Sequence, residues 1–411
     1  MPRRILHIST RLILGGSQEN TVLSCEGQSS RGNDVHLAFG PIYGPEGSLL
    51  DRVTRFRSPR GTSITSHTVP HLIREVHPTA DFHCLHELIA LIRTLQPDIV
   101  HTHSSKAGIL GRLAAWYAFP SGSPLTPGIV HTIHGPPFMP IDGNAINRLK
   151  RRLNNTIYTV AEAHAADHCH AVVSVAAAMT SQFLARGIGH PSLYTTVYSG
   201  MEVARFLTPD AGQDRTAIRA SLGLTDQDFV VGTVARLAEH KGHDDLLDAL
   251  ADDMRANPHL KLLWVGDGWW RERLWSRVES LGLSCQVILT GLVPPDRVPG
   301  LMRAMDILAH PSSREGLPRT VPQALLAGTC PVAYDVDGTG EVCRGGETGR
   351  LIPFGDVPAL RAAILELVQH PATRQRMVER GRAWCLERFT VERMVSDLEL
   401  VYERAIRAAR S

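Results

Sequence analysis

Short apolar runs that end on Gly, Ser, His or Pro, each followed by a segment of helical spacing, recur along this chain, and no other feature narrows its fold as much. Residues 4–9, 34–40, 98–101, 129–133, 171–175 and 195–198 read as strands in the first half, and 229–234, 261–265, 287–290 and 307–310 in the second. Helical spacing fills intervals at 18–30, 80–95 and 147–168, then from 242 and at 270–281. Buried strands alternating with helices give a parallel sheet covered on both faces, so the fold class is α/β, doubly wound. From 207 to 228 the composition shifts to Asp, Gly, Gln and Thr before the alternation restarts, which places a hinge there. Two domains follow, 1–206 and 207–390, and 411 residues suffice for two cores. The last helical pattern, 391–410, is expected to pack back onto the first domain, and 41–67, rich in Gly, Pro and Ser, to be a long exposed excursion of the kind that binds ligands.

Charge and cysteine usage exclude several classes. Lys and Arg number 43 against 41 Asp and Glu, too even a balance for a duplex-binding protein. The seven cysteines are odd in number and contain no CxxC pair, so they read as reduced thiols of a cytosolic protein rather than a disulfide frame or a zinc site. The first apolar run is too short for a secretory signal and no later run approaches a membrane span. The histidines at 164, 168 and 170 precede a strand without a clear ligand set, so no metal is expected.

In sheets of this kind ligands bind at the carboxyl ends of strands, which directs attention to the loops there. Residues 313–328, SREGLPRTVPQALLAG, place Glu315 and Gly316 ahead of a helix start. First-turn amides lack intrahelical partners and sit at the positive end of the dipole, so a phosphate would be held by Arg319, Thr320 and their neighbours. Glu315 is poorly placed for the phosphate itself but can accept hydrogen bonds from sugar hydroxyls. Arg236 and Lys241, just past strand 229–234, suit a diphosphate, although two solvated loop cations are the plainer reading. Gly266 and Gly268, and Gly291 with Leu292, follow the next strands where open backbone can line a nucleotide base. Gly15-Gly16 ends the first strand loop as a phosphate contact or a plain turn, and without GxGxxG spacing. His134 leaves a strand end as a ligand group or a capping histidine. The basic turn Arg148, Lys150, Arg151 and Arg152 reads as a solvated face or as a contact for anionic lipid or an acceptor phosphate.

These residues together resemble the GT-B retaining glycosyltransferases of family 4. The resemblance runs through the glycine pair at 15–16, PDIVHTHSSKAGILGR, HTIHGPPF, SGMEVARF, VARLAEHKG, VGDG, SREGLP with ALLAG, and GETGRLIP. It implies two Rossmann-like domains facing each other across a cleft, the first holding the acceptor and the second a nucleotide-diphosphate sugar. By this resemblance Gly15, Gly16, Arg236, Lys241, Arg319 and Thr320 contact the donor diphosphate. Glu315, Gly316, Leu317 and Gln323 contact the donor sugar and ribose, and Gly266, Gly291 and Leu292 lie in the base region. Ser104 and Lys106 fall on the acceptor side, and His134 and Glu315 are catalytic, with His134 beside the anomeric carbon.

The chain departs from the family at one position, where the second glutamate of the Glu, seven residues, Glu pattern is Gln323. An amide oxygen still accepts one ribose hydroxyl, so altered contact is expected rather than lost activity. The implied activity is metal-independent transfer of a sugar, from a UDP-sugar as co-substrate and with no cofactor, to a sugar, lipid-linked or polyol acceptor. The family's habit adds a role in cell-envelope polysaccharide or glycolipid assembly, in the cytoplasm or peripheral to the inner face of the membrane. A nucleotide-sugar-binding protein weak in turnover is the alternative that Gln323 raises, and a UDP-sugar 2-epimerase the less favoured one, since such enzymes lack the VARLxxxKG and EGLP segments. Acceptor choice is assigned to loops 41–67 and 136–150.

Overall fold

A computed structural model describes residues 2–42, 47–120, 122–138 and 145–410. The first half folds as β1 (Arg4–Ser9), α1 (Gly16–Ser30), β2 (Asp34–Phe39), α2 (Leu50–Arg55), β3 (Ile64–Thr68), α3 (Pro78–Leu95), β4 (Ile99–His103), α4 (Ser105–Tyr117), β5 (Gly128–Ile133), α5 (Ala145–Ala166), β6 (Ala171–Ser174), α6 (Ala177–Leu184) and β7 (Tyr194–Thr196). All the strand pairings are parallel, in the order β3-β2-β1-β4-β5-β6-β7. The order reverses between β1 and β4, and there the loops after the two strands diverge to leave room for a ligand. Segment 41–67 differs from its expectation: α2 and β3 occupy much of it, with Val53 and Ile64 buried among Leu37 and Phe39. Residues 43–46, and 139–144 of the second acceptor loop, lie outside the described residues.

The second half contains α7 (Val203–Leu207), α8 (Arg215–Ser221), β8 (Phe229–Val234), α9 (His243–Ala256), β9 (Leu260–Val265), α10 (Arg271–Ser280), β10 (Val287–Leu289), α11 (Val298–Ala304), β11 (Ile307–His310), α12 (Thr320–Ala327), β12 (Cys330–Asp335), β13 (Arg350–Pro353), α13 (Val357–Gln369) and α14 (Pro371–Arg388). Its sheet runs β10-β9-β8-β11-β12-β13, again parallel. Leu246, Leu250, Leu262, Trp264, Ile307 and Val332 are among the side chains of one core between this sheet and its helices.

The chain then returns. α15 (Val391–Arg410) packs on the first unit, where Met394, Leu398, Val401, Tyr402 and Ala405 share a core with Ile5, Ile99 and Val130. The compact units are therefore 1–201 with 391–411, and 202–390. The first boundary falls after Met201 rather than after 206, because α7 packs against α11 and α12 of the second unit.

Candidate active site

β8 and β11 are neighbours in the second sheet, so the loops leaving their carboxyl ends meet. One carries Arg236 and Lys241, the other Glu315. Lys241 Nζ lies 2.5 Å from Glu315 Oε1, and His310 Nε2 lies 3.1 Å from the same oxygen, an electrostatic contact without hydrogen-bond alignment. His310 Nδ1 lies 3.3 Å from Thr320 Oγ1, which connects this cluster to the first residue of α12. Asp337 Oδ2 accepts the Glu315 amide at 2.7 Å, and Gly316 O accepts the Gly338 amide at 3.0 Å, so the Glu315 loop is fastened on both sides. Burial alone would push the Glu315 carboxyl up; Lys241 and His310 overcome it and hold the group well below the usual carboxylate range. Glu315 is therefore an anion with acceptor capacity for hydroxyl groups.

Backbone geometry fixes Lys241. Gly242, next in the chain, has φ 70°, and a Cβ there would stand 1.9 Å from Pro311 O, so only glycine lets the Lys241 turn close against the Glu315 loop. Arg236 is exposed, its guanidinium 5.5 Å from the ring centroid of exposed Trp269. Two of the glycines expected to line the base pack closely on backbone. A Cβ on Gly266 would meet Ala235 O at 2.1 Å, and one on Gly268 would meet Leu237 O at 2.3 Å, so both let the β9 loop press against the Arg236 loop. Gly291 exchanges an isolated bridge with Gly266, beside exposed Leu292. Gly316 and Leu317 are buried, and Arg319 precedes the first residue of α12. Pro322 is its third residue, where the missing N–H has no intrahelical acceptor to lose. Gln323 follows, largely buried, its amide on Arg319 O.

The first unit gathers a second group at the ends of β1, β4 and β5. Parallel register sets His7 beside His101, and the two-residue period puts His103 on the same face. Gln28 Nε2 donates to the Tyr402 hydroxyl at 2.9 Å, leaving its oxygen 2.7 Å from His7 Nε2. His7 Nδ1 is 2.9 Å from His103 Nε2, and His103 Nδ1 is 3.1 Å from His134 Nε2. Burial holds His7 down at about 4, and burial with neighbouring imidazoles holds His101 and His103 well below their ordinary value, so all three are neutral. The Gln28 oxygen can only accept. His7 therefore donates from Nε2 and accepts at Nδ1, His103 repeats that pattern, and His134 is left donating from Nε2.

Among the described residues, His7, His101 and His103 are spaced as metal ligands could be, unlike His164, His168 and His170. Their nitrogens are already engaged: His101 Nδ1 is 2.6 Å from the Tyr402 hydroxyl and Nε2 is 2.7 Å from Thr132 Oγ1. At the mouth of the same strand ends, Thr10, Arg11, Gln18, Arg74, Ser104, Lys106, Pro137 and Tyr158 line a cleft of about 320 Å³. Ser104 holds φ 65° with its hydroxyl 2.7 Å from Thr10 Oγ1, and Lys106 pairs with Asp81. Gly15 caps α1 in extended backbone and Gly16 is the first helical residue.

Sequence reasoning missed His310, Asp337 and the Gln28–His7–His103 chain. His310 ends a strand beside the Glu315 loop, which is the signal that was there to use. Gln28 and Asp337 become visible only with the tertiary contacts in hand.

Two parallel doubly wound units with these strand-end clusters have the GT-B architecture of glycosyltransferases. Solved structures share it: Anabaena HepE with UDP and glucose superposes with a TM-score of 0.76 at 20% identity, covering 98% of this chain and 99% of that one. Sucrose-phosphate synthase of Thermosynechococcus elongatus gives 0.78 at 19% identity, over 99% and 100%. Residues 14–205 match the model Glycosyltransferase Family 4, and residues 214–384 match Glycosyl transferases group 1. The 2-deoxystreptamine N-acetyl-D-glucosaminyltransferase of Streptomyces fradiae is 30% identical over 77% of this chain and 74% of its own length. An Escherichia coli protein, UDP-Gal:alpha-D-GlcNAc-diphosphoundecaprenol alpha-1,3-galactosyltransferase, is 25% identical over 89% and 87%. The chain belongs to the group 1 glycosyltransferases and is a glycosyltransferase enzyme.

Proposed function

We propose that the protein moves a sugar from a nucleotide-diphosphate sugar, a UDP-sugar, to a hydroxyl of a sugar, lipid-linked or polyol acceptor, with retention and without a metal. The observation that carries this is the Lys241–Glu315–His310 cluster beside Arg236 on adjacent strand ends. It offers cations for a diphosphate and an anionic acceptor for sugar hydroxyls within one loop pair. Breaking the bond from the anomeric carbon to phosphate oxygen leaves negative charge on the diphosphate. Arg236, Lys241 and the amides opening α12 stabilise that charge, the term that most lowers such barriers. The acceptor oxygen bonds to the same face of the anomeric carbon, and its proton passes to the departing phosphate oxygen. Glu315, with Gly316 and Leu317, orients the sugar; Arg319 and Thr320 stand at the phosphate, Gln323 at the ribose, and His134 beside the reacting carbon. Gly15 and Gly16 contribute backbone to the diphosphate, and Ser104 and Lys106 belong to the acceptor.

The named relatives support this reading, one acting on an aminocyclitol and one on a diphosphoundecaprenol-linked sugar. We place the reaction in cell-envelope polysaccharide or glycolipid assembly on the cytosolic side of a membrane. The test is a thermal-shift and turnover screen against nucleotide sugars with EDTA present. A shift with one donor and slow release of its diphosphate is expected. A shift without any release would favour the binding-protein reading that Gln323 raises, and an inverted product anomer by NMR would sink retention.

A further inference from the structure

α5 turns an apolar stripe to solvent. Leu149, Leu153, Ile157 and Val160 are 69%, 60%, 56% and 64% exposed, and steps of four, four and three residues keep them on one face of the helix. Single exposed apolar residues are ordinary, but a continuous line of large ones marks an interaction surface. The helix is anchored elsewhere by buried Glu162, which pairs with buried Arg112, and by Ala165 and Ala166. At 100° per residue, exposed Lys150 falls along one edge of the stripe and exposed Arg152 along the other. Arg148 extends the Arg152 side, and no carboxylate occurs in α5 before Glu162.

We propose that this face of α5 is a docking surface for an anionic lipid bilayer. The stripe sits at the boundary of headgroups and acyl chains, and Lys150 and Arg152 lay their stems along it to reach lipid phosphates. A second copy of the chain fits less well, because a two-fold contact over the stripe brings the flanking cations of both copies together. The proposal deepens the transferase reading and rests on it in one respect. Tyr158, on the side of α5 turned away from the stripe, lines the cleft with Thr10, Ser104 and Lys106. A bilayer bound to α5 therefore lies next to the cleft, and the acceptor class this selects is a lipid-linked one.

The test is cosedimentation of the full chain with vesicles of phosphatidylcholine alone and of phosphatidylcholine with phosphatidylglycerol. Binding is expected on the anionic vesicles, weaker by at least about tenfold on neutral ones or in high salt. Leu153→Glu/Ile157→Glu and Lys150→Glu/Arg152→Glu should each abolish it with an unchanged melting curve, since all four side chains are exposed. No binding of the wild type to anionic vesicles overturns the proposal, as does equal binding by both double variants. A wild-type dimer that Leu153→Glu/Ile157→Glu turns into a monomer also overturns it and makes the stripe a contact between copies. UDP-sugar thermal shifts on the same proteins keep the two readings apart. A retained shift without vesicle binding removes docking alone, and vesicle binding without any shift removes the donor reading alone.

Discussion

Lys241 holds two partners at different stages: Glu315 in the free protein, and the donor diphosphate in the proposed reaction. Lys241→Ala should slow sugar transfer by on the order of 10²–10³, measured as release of nucleotide diphosphate. It should also lower the melting temperature, because the mostly buried Glu315 carboxylate loses its cation, a change worth about 3 kcal/mol. Adding Glu315→Gln should restore the melting temperature and not the rate; a double variant as unstable as the single one would show that the loss does not come from an unpaired Glu315 carboxylate. The same pair sets a pH dependence. The folded Glu315 carboxyl lies below its unfolded value of about 4.3, so its contribution is complete above that value and disappears as pH falls toward the folded one. In the proposed reaction the imidazole beside the anomeric carbon is that of His134. Gln28→Leu removes the acceptor that fixes the direction of the His7–His103 hydrogen bonds, and it should lower kcat by about tenfold with KM for the donor unchanged. An unchanged kcat would leave the chain a packing feature. That Arg236, Lys241 and Glu315 lie in loops leaving strand ends was legible, because the apolar runs of β8 and β11 stop clearly at 234 and 310. The backbone packing at Gly266 and Gly268 was not, since a glycine in sequence does not say what comes close to it.

Elements were legible where their period was clean, as in the strands and the long helices. They were obscured where turn residues dominated. Residues 41–67 read as loop because Gly, Pro and Ser outnumber apolar residues there, yet Leu49, Val53 and Ile64, with Leu50 and Phe56 packed beside them, seat α2 and β3 on the core. The basic turn of α5 was visible and its apolar stripe was not, because a buried and an exposed apolar face have the same spacing. Between elements, the turn from Lys241 into α9 is a tight joint. Gly242→Ala should cost at least about 1–3 kcal/mol in chemical denaturation and weaken UDP binding by calorimetry, since φ 70° and the 1.9 Å approach to Pro311 O leave no room for a methyl group. Native-like affinity in that variant would show that the loop can relax without moving Lys241.

For the molecule as a whole, the two units should respond differently to acid. His7, His101, His103 and His131 are buried and neutral in the first unit, all with values pushed down by burial. Between about 6.5, where an unfolded histidine titrates, and about 4, where folded His7 does, the unfolded chain binds more protons, so stability falls as pH falls through that window. The second unit carries fewer such groups, His243 at about 4 and His240 lowered. Calorimetry should therefore show one transition dividing into two below about pH 6, the first unit melting first. Five of the six tryptophans lie at 264, 269, 270, 275 and 384, so fluorescence should follow the later transition while far-UV circular dichroism follows both. Coincident curves at pH 5 would refute the division.

The return of α15 to the first unit also bears on the order in which the protein comes into being. Tyr402 supplies the hydroxyl that Gln28 and His101 both use, and Leu398, Val401 and Ala405 close the core over β1, β4 and β5. None of these side chains exists until the ribosome has already made the whole of 202–390. The half synthesised first must wait, with its central strands uncovered on one face, while the half synthesised second is contiguous and free to fold at once. Vectorial synthesis thus runs against the spatial order here, and the nascent first unit is the stage at which a chaperone has most to shield.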